Sequence, residues 1–241
     1  MFRNFNTMSG ELENQFQRAY QEQRATQRAE MKALQSQINP HFLNNTLEII
    51  NWEARMAGDD RVSAMIEALS TMMGAVLDRD GRNQIPLKEE LSYVDAYLFI
   101  INERLGGRLQ VEREIEEEAA KIPVPRLILQ PIVENAVEHD ITPNRGGKLT
   151  LRACQTEQEV TLEVFHEGTM TENIRRICSD APLEKHRVGL RNVYKRMKLL
   201  YGDRGCLTVE EASPGVIRAR LVIPRESAAQ AEKESGEVSE K

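Results

Sequence analysis

The apolar residues of this chain change their period at Gly106-Gly107, and that change sets the kind of fold open to it. Before the glycine pair they recur every three or four positions, the spacing of one helix face. Leu43, Leu47, Ile50 and Ala54 form one such stripe, and Val62, Met65, Leu69, Met72 and Val76 a second. Leu87, Leu91, Val94, Leu98, Ile101 and Leu105 form a third, opened by Pro86, a residue suited to a helix start. After it, Leu109, Val111 and Ile115 alternate as in a strand. Residues 126–139 and Val188–Tyr201 return to helical spacing, and Leu149–Cys154, Glu159–Phe165, Leu207–Glu211 and Ile217–Ile223 read as strands. The expectation is an α+β chain: a helical hairpin, then one mixed sheet with helices on one face.

The punctuation agrees. Pro40 interrupts a run from 11 to 37 that holds no Gly or Pro, so a restart is expected at Asn39-Pro40-His41. In that run Leu12, Phe16 and Ala19 begin a heptad-like stripe that fades at Gln23, and Met31, Leu34 and Ile38 resume it in a shifted frame. Both a signalling helix in a dimer and a plain solvated helix fit this pattern. Gly58-Asp59-Asp60 separates the first two stripes, with Asp59 or Asp60 placed to cap the second helix. The stretch 226–241 has almost no apolar residue and is expected to be disordered. The expected division is a signalling helix or linker over 1–30, a helical dimerisation and phosphotransfer region over 31–105, a nucleotide-binding domain over 106–225, and the tail.

Composition narrows the function classes. A net charge of −6 argues against nucleic acid as a partner, because phosphate backbones reward clustered Lys and Arg. Cys154, Cys178 and Cys206 are far apart and lack metal-ligand spacing, so free thiols are expected. No apolar run approaches the ~20 residues needed to cross a bilayer.

At 100° per residue His41 lies about 150° from the centre of the stripe formed by Leu43, Leu47, Ile50 and Ala54. Its imidazole is expected to face away from the hairpin, toward solvent or a partner. Neutral imidazole is a competent nucleophile near pH 7. From geometry alone an ordinary surface histidine fits as well. No base is evident nearby: Phe42 follows directly, and Glu48 is about 10 Å along the axis. Asn45, one turn on, is placed to orient the ring.

The string Gln35-Ser36-Gln37-Ile38-Asn39-Pro40-His41-Phe42-Leu43-Asn44-Asn45 closely resembles the phosphoacceptor segment of the LytS/YesM-type sensor histidine kinases. Leu129-Gln130-Pro131-Ile132-Val133-Glu134-Asn135-Ala136-Val137-Glu138-His139 is similar to that family's N box, with Asp140 where a glycine is usual. Val188-Gly189-Leu190-Arg191-Asn192-Val193-Tyr194-Lys195-Arg196 resembles its glycine-turn segment, with Arg187 in place of the first glycine. Pro86-Leu87, Glu89-Glu90, Tyr97 and Arg104 fit its linking pattern, so the resemblance runs over about 32–225.

The resemblance implies a GHKL-type α/β sandwich that binds ATP and Mg²⁺ behind a dimerising hairpin. His41 would receive the phosphoryl group and pass it to the receiver domain of a response regulator. Asn135 would contact Mg²⁺, with Glu134 catalytic and His139 on the phosphate side. His166, Gly168, Arg187, Gly189, Leu190 and Arg196 would line the nucleotide. The chain would be the cytoplasmic portion of a membrane sensor. One departure stands out. The family's adenine-binding Asp is His166 here, and Met170 replaces a glycine. Loss of such a charge-assisted bond costs about 1.5–3 kcal/mol, which keeps open a second reading: a dimeric scaffold that holds nucleotide weakly and performs no chemistry.

Overall fold

The computed structural model describes residues 40–76, 82–171, 174 and 188–225. The run before Pro40, Cys178, Arg187 and the tail therefore lie outside the described residues. Contacts divide the chain into two compact units, Met1–Ser63 and Ala64–Lys241.

In the first unit, helix α1 spans Pro40–Met56. The chain then turns at Gly58, whose φ of 73° suits glycine. Asp59 Oδ1 accepts the amide of Val62 at 3.0 Å, capping helix α2 (Asp60–Val76), whose residues from Ala64 onward are counted in the second unit. The Ser63 hydroxyl donates to Asn51 Oδ1 at 2.6 Å and accepts from Arg55 Nε at 3.2 Å. These bonds turn Ser63 inward, so α2 is rotated from the expected stripe. Ser63, Ile66, Ala68 and Ala75 are buried, while Val62 and Leu69 stay 39% and 40% exposed.

The second unit holds the sheet. Short strands β1 (Gln84–Pro86) and β3 (Pro123–Pro125) pair antiparallel. Between them come α3 (Leu87–Arg104) and β2 (Leu109–Ile115). Gly106 and Gly107, at φ 65° and 78°, end α3 and return their amides to the carbonyls of Glu103 and Asn102, a left-handed stop that glycine takes without strain. The chain continues through α4 (Gln130–Ala136), a π-helical turn at Val137–Ile141, β4 (Gly147–Gln155), β5 (Glu159–Glu167), α5 (Val188–Tyr201), β6 (Cys206–Ser213) and β7 (Val216–Pro224). The five-stranded sheet has the order β2-β4-β5-β7-β6. Only β2 and β4 run parallel. The α+β expectation holds.

One face of the sheet is covered. Leu149, Leu151, Leu162, Val164 and Leu221 meet Val94 and Leu98 of α3, Ile132 and Val133 of α4, and Val193 and Met197 of α5 in a single core. Each fully buried side chain of this size stabilises by about 1.5–3 kcal/mol. Helix α3, grouped with the hairpin by sequence, thus belongs to the core of the sheet unit. The other face carries ion pairs: Glu112 with Lys148 at 2.8 Å, Glu114 with Arg152 at 2.7 Å, and Arg218 with both Glu210 and Glu163. Exposed pairs of this kind add little stability, but they keep that face wet. Cys154 and Cys206 are free thiols. Among the described residues no helix is long and apolar enough to cross a membrane.

Candidate active site

Pro40 is the first residue of α1, where its missing N–H costs nothing. His41 follows and is exposed. Asn45, one turn on, places Nδ2 3.2 Å from His41 Nδ1. The same side of α1 carries a feature that the sequence reading missed. Phe42, Ile49, Trp52 and Met56 are 65%, 66%, 67% and 71% exposed, and at 100° per residue all four fall within about 100° of His41. Their spacing of seven, three and four is itself a helical stripe, hidden beside the better-known one.

In the sheet unit the groundwork is a carboxylate. Glu90 of α3 is fully buried and accepts the amides of Leu127, Leu129 and Gln130 at 2.8, 2.9 and 3.4 Å. Burial pushes its carboxyl up, and the amide donors draw it back. Residues 126–129 were expected to be helical. They instead form a turn, with Leu127 at φ 54°, because the amides of Leu127 and Leu129 are taken by Glu90 and that of Arg126 by the Asn83 carbonyl. The helix starts at Gln130.

From that start the polar side of α4 is displayed. Ile132, Val133 and Ala136 are buried, while Glu134 and Asn135 are half-buried. Gln130 Nε2 donates to Glu134 Oε1 at 2.7 Å. The Glu134 carboxyl is raised: burial lifts it most, the Gln130 bond opposes, and Glu138 lifts it further. Burial, then Glu134 and Glu138, push the Tyr97 phenol up, so both carboxyls act on α3 across this edge. His139 is half-buried.

At Val137–Ile141 the helix widens into its π turn, a device that re-aims side chains. Asp140 lands beside the end of β5. Its side chain is 13% exposed, and its Oδ2 is 3.5 Å from Nδ1 of His166, itself 4% exposed. His166 Nδ1 also lies 3.3 Å from the Glu167 carbonyl. Asp140 Oδ2 is buried with no hydrogen bond. A Cβ on Gly168 would stand 2.7 Å from both Cγ and Oδ1 of Asp140. A side chain there would require the Asp140 carboxyl to shift.

Helix α5 approaches from the other end of α4. Gly189 is exposed, and a Cβ on it would lie 3.6 Å from Pro131 Cβ. Leu190 is 2% exposed, in the core with Val193 and Met197. Arg196 Nη1 donates to the Arg126 carbonyl, and Arg126 Nη2 to the Gly74 carbonyl at 2.8 Å. These contacts brace the loop before α4. Glu134, Asn135, His139, Asp140, His166 and Gly168 thus belong to α4, its π extension and the end of β5. Leu190 and Arg196 are engaged with protein.

Within this cluster Asn135 offers a donor type that suits a divalent cation. A half-buried carboxamide is a suitable Mg²⁺ ligand, since that ion completes its shell with waters and phosphate oxygens.

Residues 29–109 match the histidine kinase family model. The chain is 34% identical over 201 residues to sensor histidine kinase YpdA of Escherichia coli K12, covering 82% of this chain and 35% of that one. It is 29% identical over 223 residues to sensor histidine kinase YesM of Bacillus subtilis 168, covering 92% and 38%. It is 31% identical over 206 residues to the sensor protein LytS of Enterococcus faecalis, covering 82% and 34%. The chain thus spans about a third of the length of these curated relatives.

Proposed function

The chain belongs to the LytS/YesM-type sensor histidine kinases, and on that footing we propose that it transfers the γ-phosphoryl group of ATP to His41. A ring nitrogen of His41 bonds to phosphorus as the bridging oxygen departs with ADP, and the ring sheds its proton to a base. Glu134, with its raised carboxyl, is the base or the group that orients it. Asn135 and His139 hold the phosphate side. Mg²⁺ bound to the triphosphate would neutralise charge that builds on its oxygens. The phosphohistidine then donates to an aspartate of a response regulator.

The exposed stripe of Phe42, Ile49, Trp52 and Met56 supports a dimer in which a second copy covers it, since contiguous exposed apolar surface marks an interaction site. We place the chain as the cytoplasmic part of a membrane-anchored sensor, in keeping with relatives that are named sensor proteins.

The observation that carries this reading is the exposed His41 ring, engaged by Asn45 at one nitrogen. The test is incubation of the whole chain with γ-labelled ATP and Mg²⁺. The expected product is an acid-labile, alkali-stable label that is absent from His41→Ala. Label that persists in His41→Ala, or micromolar ATP binding with no label in the parent, overturns the reading.

A further inference from the structure

Gln130 is an unfavourable residue where it stands. It is 7% exposed at the first position of α4, and its side-chain oxygen is sealed from solvent with no donor among the described residues. A buried acceptor left unpaired costs free energy that an apolar side chain of the same shape would avoid. Packing therefore does not call for a carboxamide here. The nitrogen of the same amide is engaged. Nε2 donates to Glu134 Oε1 at 2.7 Å, one helical turn on. Turning the amide over would set two acceptors against each other, so the nitrogen stays on Glu134 and the oxygen goes unpaired. The Glu134 carboxylate is pressed from its other side by Glu138, a further turn along, a like-charge spacing that is unfavourable on a helix. Tyr97 of α3 flanks the same edge. Gln130 is also fixed at its backbone, whose amide donates to the buried Glu90 at 3.4 Å.

We propose that Gln130 is a positioning residue for the phosphoryl transfer, its amide holding Oε1 of Glu134 so that Oε2 takes the proton released by His41. The inference rests on the kinase reading and deepens it. In that step the bond from the ring nitrogen to phosphorus forms as the bond from phosphorus to the departing oxygen of ADP breaks, and the ring proton passes to Glu134. An untied Glu side chain on a helix visits several rotamers. Held at one oxygen and repelled by Glu138, it keeps one. A reacting group displaced by ~1 Å loses about a hundred-fold in rate, so one hydrogen bond that fixes its place has a large effect. Gln130 acts through Glu134 and not on the nucleotide.

The test is single-turnover labelling of His41 in the full chain at saturating γ-labelled ATP with Mg²⁺, with ATP affinity from calorimetry and melting curves beside it. Gln130→Met keeps the length of the side chain and removes the donor. It is expected to slow labelling by about ten- to a hundred-fold, the range of one hydrogen bond to a charged group, with ATP affinity within about two-fold of the parent's. Its melting temperature is expected to equal or exceed the parent's, since the unpaired oxygen is gone. In a Glu134→Gln background the same change is expected to slow labelling no further, because residues that act through one another are not additive. Should Gln130→Met unfold, Gln130→Glu is read instead; it keeps the shape, cannot donate as a carboxylate, and is expected to lose at least as much rate. A lower melting temperature and weaker ATP binding at an unchanged maximal rate is the pattern of a residue needed only for the fold, and it overturns the proposal. Equal slowing with and without Glu134, or a Glu134→Gln chain that labels at the parent rate, overturns it as well. In each of these cases the parent still labels His41 and the kinase reading stands. A parent that never labels His41 overturns both.

Discussion

His41 and His166 are the same side chain placed in opposite surroundings. The first stands exposed on a helix that also leaves Trp52 and Met56 67% and 71% exposed. The second is 4% exposed at the end of β5, beside a sealed carboxylate. An imidazole that must accept a group from one partner and surrender it to another needs access from outside. An imidazole that helps shape a binding pocket needs the reverse, and its burial has to be supported by the core around it. The proposal that His41 is the nucleophile draws support from this comparison without appeal to its neighbours in sequence. The sharpest way to break it is to remove each in turn. His41→Ala is expected to abolish labelling completely, with ATP binding unchanged. His166→Ala is expected to weaken nucleotide binding and to leave some label on His41. A label lost equally in both, with binding intact in both, would erase the distinction.

Glu134 sharpens the comparison from the pocket side. Its carboxyl is raised by burial and by Glu138, against the Gln130 hydrogen bond. A raised acid keeps its proton to higher pH than free Glu, at about 4.3. Its basic form is therefore lost on acidification in a window above that value, and the labelling rate should climb with pH there. Glu134→Gln is expected to slow labelling by about a hundred- to ten-thousand-fold, the usual worth of a general base, and to remove the acidic limb. A pH profile that survives in Glu134→Gln would move the base elsewhere.

The buried region also depends on Glu90, and the exposed one does not. Three backbone amides donate to that carboxylate. Glu90→Ala leaves all three without an acceptor, at about 1–3 kcal/mol each, so a loss of about 3 kcal/mol or more is expected in thermal or urea unfolding. Glu90→Gln keeps one side-chain oxygen and should lose less. Equal losses would show that the cap is held by packing alone.

Much of this was legible in the sequence. The stripe from Leu87 to Leu105 reads correctly because each member lands in the core or against it, and α5 begins at Val188 and ends at Tyr201 as its spacing requires. Glu90 was illegible as a buried group. It follows Glu89 in the first turn of an amphipathic helix, where acids ordinarily face water, and its three donors lie some forty residues away. Strands β1 and β3 were missed since each is three residues long and carries proline, which local rules set against strands. The π turn follows no hydrophobic period, so Asp140 read as a minor departure after His139; only the folded chain sets it over Gly168. The stripe of Phe42, Ile49, Trp52 and Met56 was masked because one helix carries two apolar sides and only the first was counted; of that first stripe Ala54 is buried, while Ile50 stays 46% exposed.

The smallest expected effect sits at the exposed histidine and concerns one bond. Asn45 Nδ2 lies 3.2 Å from His41 Nδ1. With the amide in that sense it donates to Nδ1, and the ring proton rests on Nε2. Half a turn of the amide presents Oδ1 instead, which accepts a proton on Nδ1 and leaves the Nε2 lone pair directed outward for attack. Asn45→Ala removes the choice and is expected to slow labelling by about two- to ten-fold, the worth of one hydrogen bond of 0.5–1.5 kcal/mol. Asn45→Asp distinguishes the two senses, because a carboxylate only accepts. It fixes the proton on Nδ1, so the maximal rate should match or exceed that of the parent if Nε2 is the nucleophile. A carboxylate beside an imidazole also favours the cation, so the neutral ring is reached at higher pH and the rate profile should move in the alkaline direction. If Asn45→Asp is as slow as Asn45→Ala across the whole pH series, Asn45 does not act by accepting a proton from Nδ1.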